Sequence, residues 1–305
     1  MADAPLKVVI DTDPGIDDAV AILFALACGR FQVLGLPTVA GNLGIRVTTR
    51  NAGRILALAG RADIPVVPGA AAPLSRTGFD TKEIHGDDGL GGVPFPEPVA
   101  PPLAAGAVEW LAETLRAQPA GTLDILALGP LTNIARLVAE HPQAARRMRR
   151  LIAMGGGVHE PGNVGPRSEF NLAADPEAAQ VVFSAGLPLT LVPLDVTRRV
   201  RATHDYCAAL AAAGTPVAAA AAGLIEAYFL ATSGRESRPL HDPCVMLFAL
   251  RPDLFGCRPL ALAVDTGHGA DAGALVPDPA RPPIHVAMQV DAQAALDLLA
   301  RGLGA

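Results

Sequence analysis

Leu6-Lys7-Val8-Val9-Ile10-Asp11-Thr12-Asp13-Pro14-Gly15-Ile16-Asp17-Asp18 reads as a buried strand that runs into a polar turn and then a helix. The apolar run Leu6 to Ile10 suits a strand covered on both faces. A helix follows from about Asp17 to Cys28, and Gly29 lies just past its end as a stop signal. The same unit then recurs. Strands are expected at Val33 to Val39, Ile64 to Val67, Leu123 to Leu128, Leu151 to Met154 and Leu189 to Pro193. Helices are expected at Ile45 to Ala59, Ala104 to Ala117, Leu131 to Glu140 and Asp175 to Ser184. This alternation predicts an α/β fold: a mostly parallel central sheet, open and doubly wound, with helices on both faces. No composition break marks a second unit, so one domain over residues 1–305 is expected.

The polar and Gly-rich segments fall after the strands, at Asp11 to Asp18, Ala40 to Gly44, Gly129 to Asn133 and Gly155 to Asn171. Open parallel sheets bind ligands beyond the carboxyl ends of their strands, so these loops converge on one candidate site. Residues 68–102, 232–243 and 265–283 carry no clear period, and irregular stretches of this length are usually functional or mobile.

Charge and composition exclude several classes. The formal charge of -6 argues against a nucleic-acid-binding surface. The densest basic run, Arg146, Arg147, Arg149 and Arg150, is expected to be a solvated helix end. Cys28, Cys207, Cys244 and Cys257 form no C-x-x-C pair, which fits a reducing cytoplasm and gives no support for a zinc ribbon. The opening Met-Ala-Asp-Ala-Pro-Leu-Lys lacks signal-peptide character. Ala208 to Ala231 is apolar but is broken at Gly214, so two helices are expected there, the second capped by Thr215 with Pro216 at its first position, and no membrane span.

The acidic turn places Asp11, Asp13, Asp17 and Asp18 within one strand-to-helix connection. Like charges this close raise one another's pKa. A helix N-terminus offsets part of that repulsion. An oxygen-ligated hard cation, calcium or magnesium, offsets far more. Far downstream, His241-Asp242-Pro243 supplies a further carboxylate and an imidazole. Met154-Gly155-Gly156-Gly157, then Asn163 and Glu169-Phe170-Asn171, combines backbone that a ligand can approach closely with groups that bond hydroxyls. Asn42 adds an amide at another strand end.

In this order, these segments resemble the nucleoside hydrolase family of the inosine-uridine preferring type. The carriers are Asp11 to Asp18, Val39-Ala40-Gly41-Asn42, Ile84-His85-Gly86-Asp87-Asp88-Gly89-Leu90-Gly91, Leu128-Gly129-Pro130-Leu131-Thr132-Asn133, Met154 to Gly157, Glu169 to Asn171 and His241 to Pro243. The resemblance spans roughly residues 6–250. It implies calcium-dependent hydrolysis of ribonucleosides to ribose and a free base, with Asp13 as general base for water. It implies calcium ligation by Asp13, Asp18, the Leu128 carbonyl and Asp242. Asp17 and Asn171 would hold the ribose 2′- and 3′-hydroxyls, and Asn163 and Glu169 the 5′ and 3′ side. Asn42 would face the ribose and the water, and Met154 and Phe170 would line the sugar site. His241 would help the base depart, with His85 near the base. A homodimer or homotetramer is also implied.

Residues 228–240 and 265–278 depart from the family pattern, where base contacts and a C-terminal motif are expected. Tyr228 fits either the base pocket or the core, and Trp110 is expected to pack inside a helix–sheet layer. Two alternatives remain on sequence grounds. A haloacid-dehalogenase-like phosphatase would use Asp11 as nucleophile, but the only lysines are Lys7 and Lys82. A catalytically silent nucleoside-binding protein would keep the same scaffold.

Overall fold

The structure is a computed structural model and describes residues 4–231 and 237–305. In chain order, the first elements are β1 (Leu6–Asp11), α1 (Ile16–Ala27), β2 (Phe31–Val33), β3 (Leu36–Thr38), α2 (Ile45–Leu58), β4 (Val66–Pro68), α3 (Lys82–His85) and α4 (Ala107–Ala117). Next come β5 (Asp124–Ala127), α5 (Thr132–Glu140), α6 (Pro142–Ala145), β6 (Arg150–Met154), α7 (Phe170–Ala174), α8 (Pro176–Ser184), β7 (Leu189–Val192) and α9 (Leu194–Thr197). The chain closes with β8 (Arg201–Thr203), α10 (His204–Ala212), α11 (Pro216–Ala231), β9 (Ser237–Pro239), α12 (Pro243–Leu250), β10 (Phe255–Leu260), β11 (Leu262–Val264), β12 (Leu275–Pro277), β13 (Ile284–Val290) and α13 (Ala292–Leu303).

Among the described residues the main sheet has seven strands in the order β10-β13-β7-β6-β5-β1-β2. Only the β10–β13 pairing in it is antiparallel. Alternate residues of each inner strand enter opposite cores. Val8, Ile10, Leu126 and Ile152 pack with Phe24, Phe229 and Leu299 on one face. Val9, Ile125, Leu151 and Ala153 pack with Leu111, Ile134 and Val182 on the other. Helices therefore cover both faces, as the continuous apolar strands require. The chain leaves β1 toward β2 and later returns to β5 on the opposite flank. That reversal opens a crevice above the carboxyl end of β1.

The expected strand Val33 to Val39 is two strands. β2 pairs with β1, and β3 pairs with β4. The break falls at Gly35, where a Cβ would collide with the Trp110 ring. The tryptophan thus packs against the sheet, as its helical setting suggested. The basic run is not merely a solvated helix end. Arg149 and Arg150 both reach the fully buried Asp124 carboxylate, each at 2.5 Å, and Arg147 donates to the Leu115 and Gln118 carbonyls. A carboxylate buried in the sheet needs paired charge, and these arginines supply it. The Gly214 break stands as read, with the Thr215 hydroxyl accepting from Ala218 N–H at 3.1 Å. Within the irregular stretches the structure places α3, β9 and β12. Residues 232–236 of the segment that departs from the family pattern lie outside the described residues, as do residues 1–3. No described helix is long and apolar enough to cross a membrane.

Candidate active site

A cavity of about 410 Å³ opens over the strand ends. It is lined by nine of the residues singled out in the sequence for binding or catalysis: Asp17, Asn42, His85, Met154, Asn163, Glu169, Phe170, Asn171 and His241. Asp242 and Leu128 also face it. Asp13 and Asp18 do not line it but lie fully buried beside it.

The acidic turn is held by donors converging on Asp18. Its carboxylate accepts from Thr12 Oγ1 at 2.6 Å, Asp13 N–H at 3.2 Å, Gly15 N–H at 3.1 Å and Asn42 Nδ2 at 3.0 Å. Asn42 is correspondingly committed. Its N–H donates to Asp13 Oδ2 at 2.7 Å, and its Oδ1 accepts from Thr81 at 3.1 Å. Its amide organises the two carboxylates. His85 closes the start of α1, with Nδ1 accepting from Ile16 N–H at 3.0 Å. That bond requires an unprotonated Nδ1, and burial also pushes the His85 pKa down.

Asp13 Oδ1 is buried and has no hydrogen-bond partner among the described residues. A Cβ on Gly41 or Gly129 would collide with this carboxylate, so both glycines are needed for the close approach. Ligand oxygens of Asp17, Asp18 and Asp242 come within 4.8 Å of one another. The Leu128 carbonyl accepts from Asn171 Nδ2 at 2.5 Å and keeps a second lone pair. Burial pushes Asp13 and Asp242 well above the ordinary carboxylate range, with neighbouring aspartates adding to the shift. An orphaned buried oxygen beside clustered carboxylates is what an oxygen-liking divalent cation satisfies, so these residues can hold a metal ion. Asp17, read as a hydroxyl-binding group, belongs to this cluster as well.

Burial raises Asp11 to about 7. Burial together with the Asp18 charge raises Asp17 to about 6. Both groups hold a proton more tightly folded than unfolded, where a carboxyl titrates near about 4. The sign follows from linkage: between about pH 4 and 7 the folded state binds more protons, so stability falls as pH rises. Cation-free protein should therefore melt at progressively lower temperature from pH 4 to 7. Added calcium should oppose the loss most strongly at the upper end. Calorimetric scans across that range check it, and a melting temperature that rises with pH would show that the carboxylates are already compensated.

Elsewhere in the cavity wall, Glu169 caps α7 and accepts from Asn171 N–H, Leu172 N–H and Gly156 N–H at 2.9, 3.2 and 2.9 Å. Asn163 Oδ1 accepts from Phe170 N–H at 2.8 Å, so Nδ2 is the group it can offer a ligand. His241 does not keep the ordinary imidazole pKa near neutrality. Burial and the guanidiniums of Arg198, Arg201 and Arg238 hold it at about 4. It is neutral at pH 7 and can offer a ligand an uncharged ring N–H rather than an imidazolium. Its Nδ1 lies 2.8 Å from Thr197 Oγ1, and its backbone N–H donates to Asp17 Oδ2 at 3.2 Å.

The sequence reading missed Thr81, Arg198, Arg201 and Arg238, all of which face the cavity, and gave Ile84 only as part of the His85 motif. Arg198 and Arg201 could have been found, because they follow β7 on the same sheet edge as the other site loops. Arg238 carried no such signal. Tyr228, left open between base pocket and core, lines the cavity with the Arg238 guanidinium 5.3 Å from its ring centroid.

A plant nucleoside hydrolase structure, PpNRh1, superposes with a TM-score of 0.92 at 32% identity, covering 99% of each chain. A purine-preferring ribonucleoside hydrolase from Gardnerella vaginalis superposes at 0.90 with 27% identity, covering 98% of each. The pyrimidine-specific ribonucleoside hydrolase RihA of Citrobacter koseri is 39% identical over 308 residues, 98% of both chains. Fold and sequence thus define a hydrolase of N-glycosyl compounds. The model of the inosine-uridine preferring nucleoside hydrolases matches residues 8–297, and the chain belongs to that family. This membership displaces the phosphatase alternative.

Proposed function

We propose that this enzyme hydrolyses the C1′–N bond of free ribonucleosides with calcium bound among Asp13, Asp18, Asp242 and the Leu128 carbonyl. The observation that carries this is the buried, partnerless Asp13 Oδ1 beside the cluster of Asp17, Asp18 and Asp242. When held by these residues, calcium would offset the crowded negative charge and make a nearby water easier to deprotonate. Asp13 takes the proton of the attacking water as its oxygen bonds C1′. The C–N bond breaks with its electron pair leaving on the base, as positive charge builds on the sugar. Asp17 and Asn171 orient the 2′- and 3′-hydroxyls, and Asn163 and Glu169 hold the 5′ and 3′ side. Asn42 fixes Asp13 and Asp18, while Met154 and Phe170 shape the wall beside the sugar. His241 gives the departing base a neutral hydrogen bond, and His85 lies at the base end. One water-activating carboxylate suffices, so water attacks directly and no covalent glycosyl intermediate forms.

Pyrimidine ribonucleosides are the favoured substrates on this reading. Its support is the relative named pyrimidine-specific at 39% identity, against 27% for the one named purine-preferring. A reducing-sugar assay with inosine, adenosine, guanosine, uridine and cytidine tests both parts. Ribose is expected from uridine and cytidine first. Binding without ribose release from any of the five would support a silent binder instead.

A further inference from the structure

The one-turn helix α9 and Arg198 after it contact residues on two sides of the cavity, the loop before Asn163 and the ring of His241. Asp195 is buried and accepts from Val158 N–H at 2.7 Å and His159 N–H at 2.8 Å. Arg198 reaches the next three residues. Its Nη1 donates to Glu160 Oε2 at 3.0 Å and to the Pro161 carbonyl at 2.7 Å, and its Nη2 donates to the Gly162 carbonyl at 3.0 Å. The turn it grips is tight: Gly162 N–H donates to Pro166 O and Asn163 N–H to Ser168 O, both at 3.0 Å. A Cβ at Gly162 would strike backbone of Gly165 and Ser168. Movement of residues 160–162 therefore carries Asn163 with it. On the other side of α9, Thr197 holds the His241 ring at 2.8 Å.

We propose that Arg198 is a positioning residue for the 5′ end of the sugar: by fixing residues 160–162 it sets where the Asn163 amide meets the substrate's 5′-hydroxyl. The inference rests on the ribonucleoside reading above. α9 thereby joins two contacts that the substrate makes at opposite ends, Asn163 at the sugar and His241 at the base. Three of the five Arg198 N–H donors grip Glu160 and two carbonyls, and that grip on the loop is the route by which it acts on the substrate. Charge-assisted bonds that are geometrically fixed are the strong ones, and losing them frees the loop.

The test compares uridine with 5′-deoxyuridine, which keeps the 2′,3′-diol and lacks only the 5′-hydroxyl. Wild type should prefer uridine by kcat/KM. Arg198→Met should lower kcat/KM for uridine about 10- to 100-fold, the worth of charged hydrogen bonds, mostly through KM. It should change the 5′-deoxyuridine value less than about threefold, so that the preference collapses. Arg198→Lys should recover part of it. Glu160→Gln, a milder surface change that keeps the arginine, should shift the ratio in the same direction if Arg198→Met does not fold. Equal losses on both substrates would reduce Arg198 to a structural residue and overturn the proposal. A wild type that cleaves both substrates equally would overturn it as well. A wild type that releases ribose from no ribonucleoside would instead sink the underlying functional reading.

Discussion

Asp13→Asn is expected to cut ribose release from uridine by roughly 10³- to 10⁵-fold. General-base assistance alone contributes roughly 10²- to 10⁴-fold, and the substitution also replaces an oxygen ligand of the cation by an amide on one side. The fold should survive. Asn42 N–H can still bond the amide oxygen where it now bonds Oδ2, and a buried charge is removed. In cation-free protein the melting temperature should stay the same or rise, because Asp13 is a carboxylate that burial already disfavours. Steady-state turnover with a parallel melting scan checks both halves. Activity within tenfold of wild type in a normally folded variant would remove Asp13 from proton transfer.

The second large effect concerns the sugar. 2′-Deoxyuridine should be cleaved with kcat/KM roughly 10³-fold or more below uridine. A site built to bond a hydroxyl rejects the analogue lacking it by up to about 10⁴- to 10⁵-fold, because its own polar groups are left unpaired. Asp17 is such a group here. It is 7% exposed and held near Asp18 and Asp242, and burial has already raised it to about 6. Its Oδ2 accepts from the His241 N–H at 3.2 Å, and a 2′-hydroxyl would add a further donor to this carboxylate. Asp17→Asn should lower uridine turnover while narrowing the gap between the two sugars. Comparable turnover of uridine and deoxyuridine by wild type would mean that Asp17 does not read the 2′ position.

Much of this site was legible in the sequence because its residues follow strands. Asp11 to Asp18 leaves β1, Leu128 ends the β5 run, and Gly155 to Asn171 leaves β6, so parallel topology alone brings them together. The acidic turn stood out through crowding, since that much repulsion among Asp11, Asp13, Asp17 and Asp18 needs compensation. What stayed hidden depended on tertiary distance. Nothing local joins Thr197 to His241, 44 positions apart, or Arg198 to Glu160, 38 apart. The depressed pKa of His241 was hidden for the same reason, since burial by distant segments lowers it first and guanidiniums from three other positions add to the shift. The split of Val33 to Val39 was hidden because a contact with Trp110 at Gly35 decides it, and the apolar run itself gives no sign. Residues 265–278, expected from the sequence to depart from the family pattern, fall within the matched region and brace the loop around Gly165. Arg167 donates to the Leu275 carbonyl at 3.0 Å, and a Cβ at Gly165 would meet the Ala270 carbonyl.

The most direct measurement is ribose release from uridine as metal is stripped and calcium is returned, with bound metal counted by elemental analysis at each step. The account predicts that activity falls with metal content, returns as calcium rebinds at one ion per chain, and fails to return in Asp242→Asn. Full turnover in protein shown to hold no divalent cation would contradict it, because the clustered carboxylates would then be neutralised in some other way.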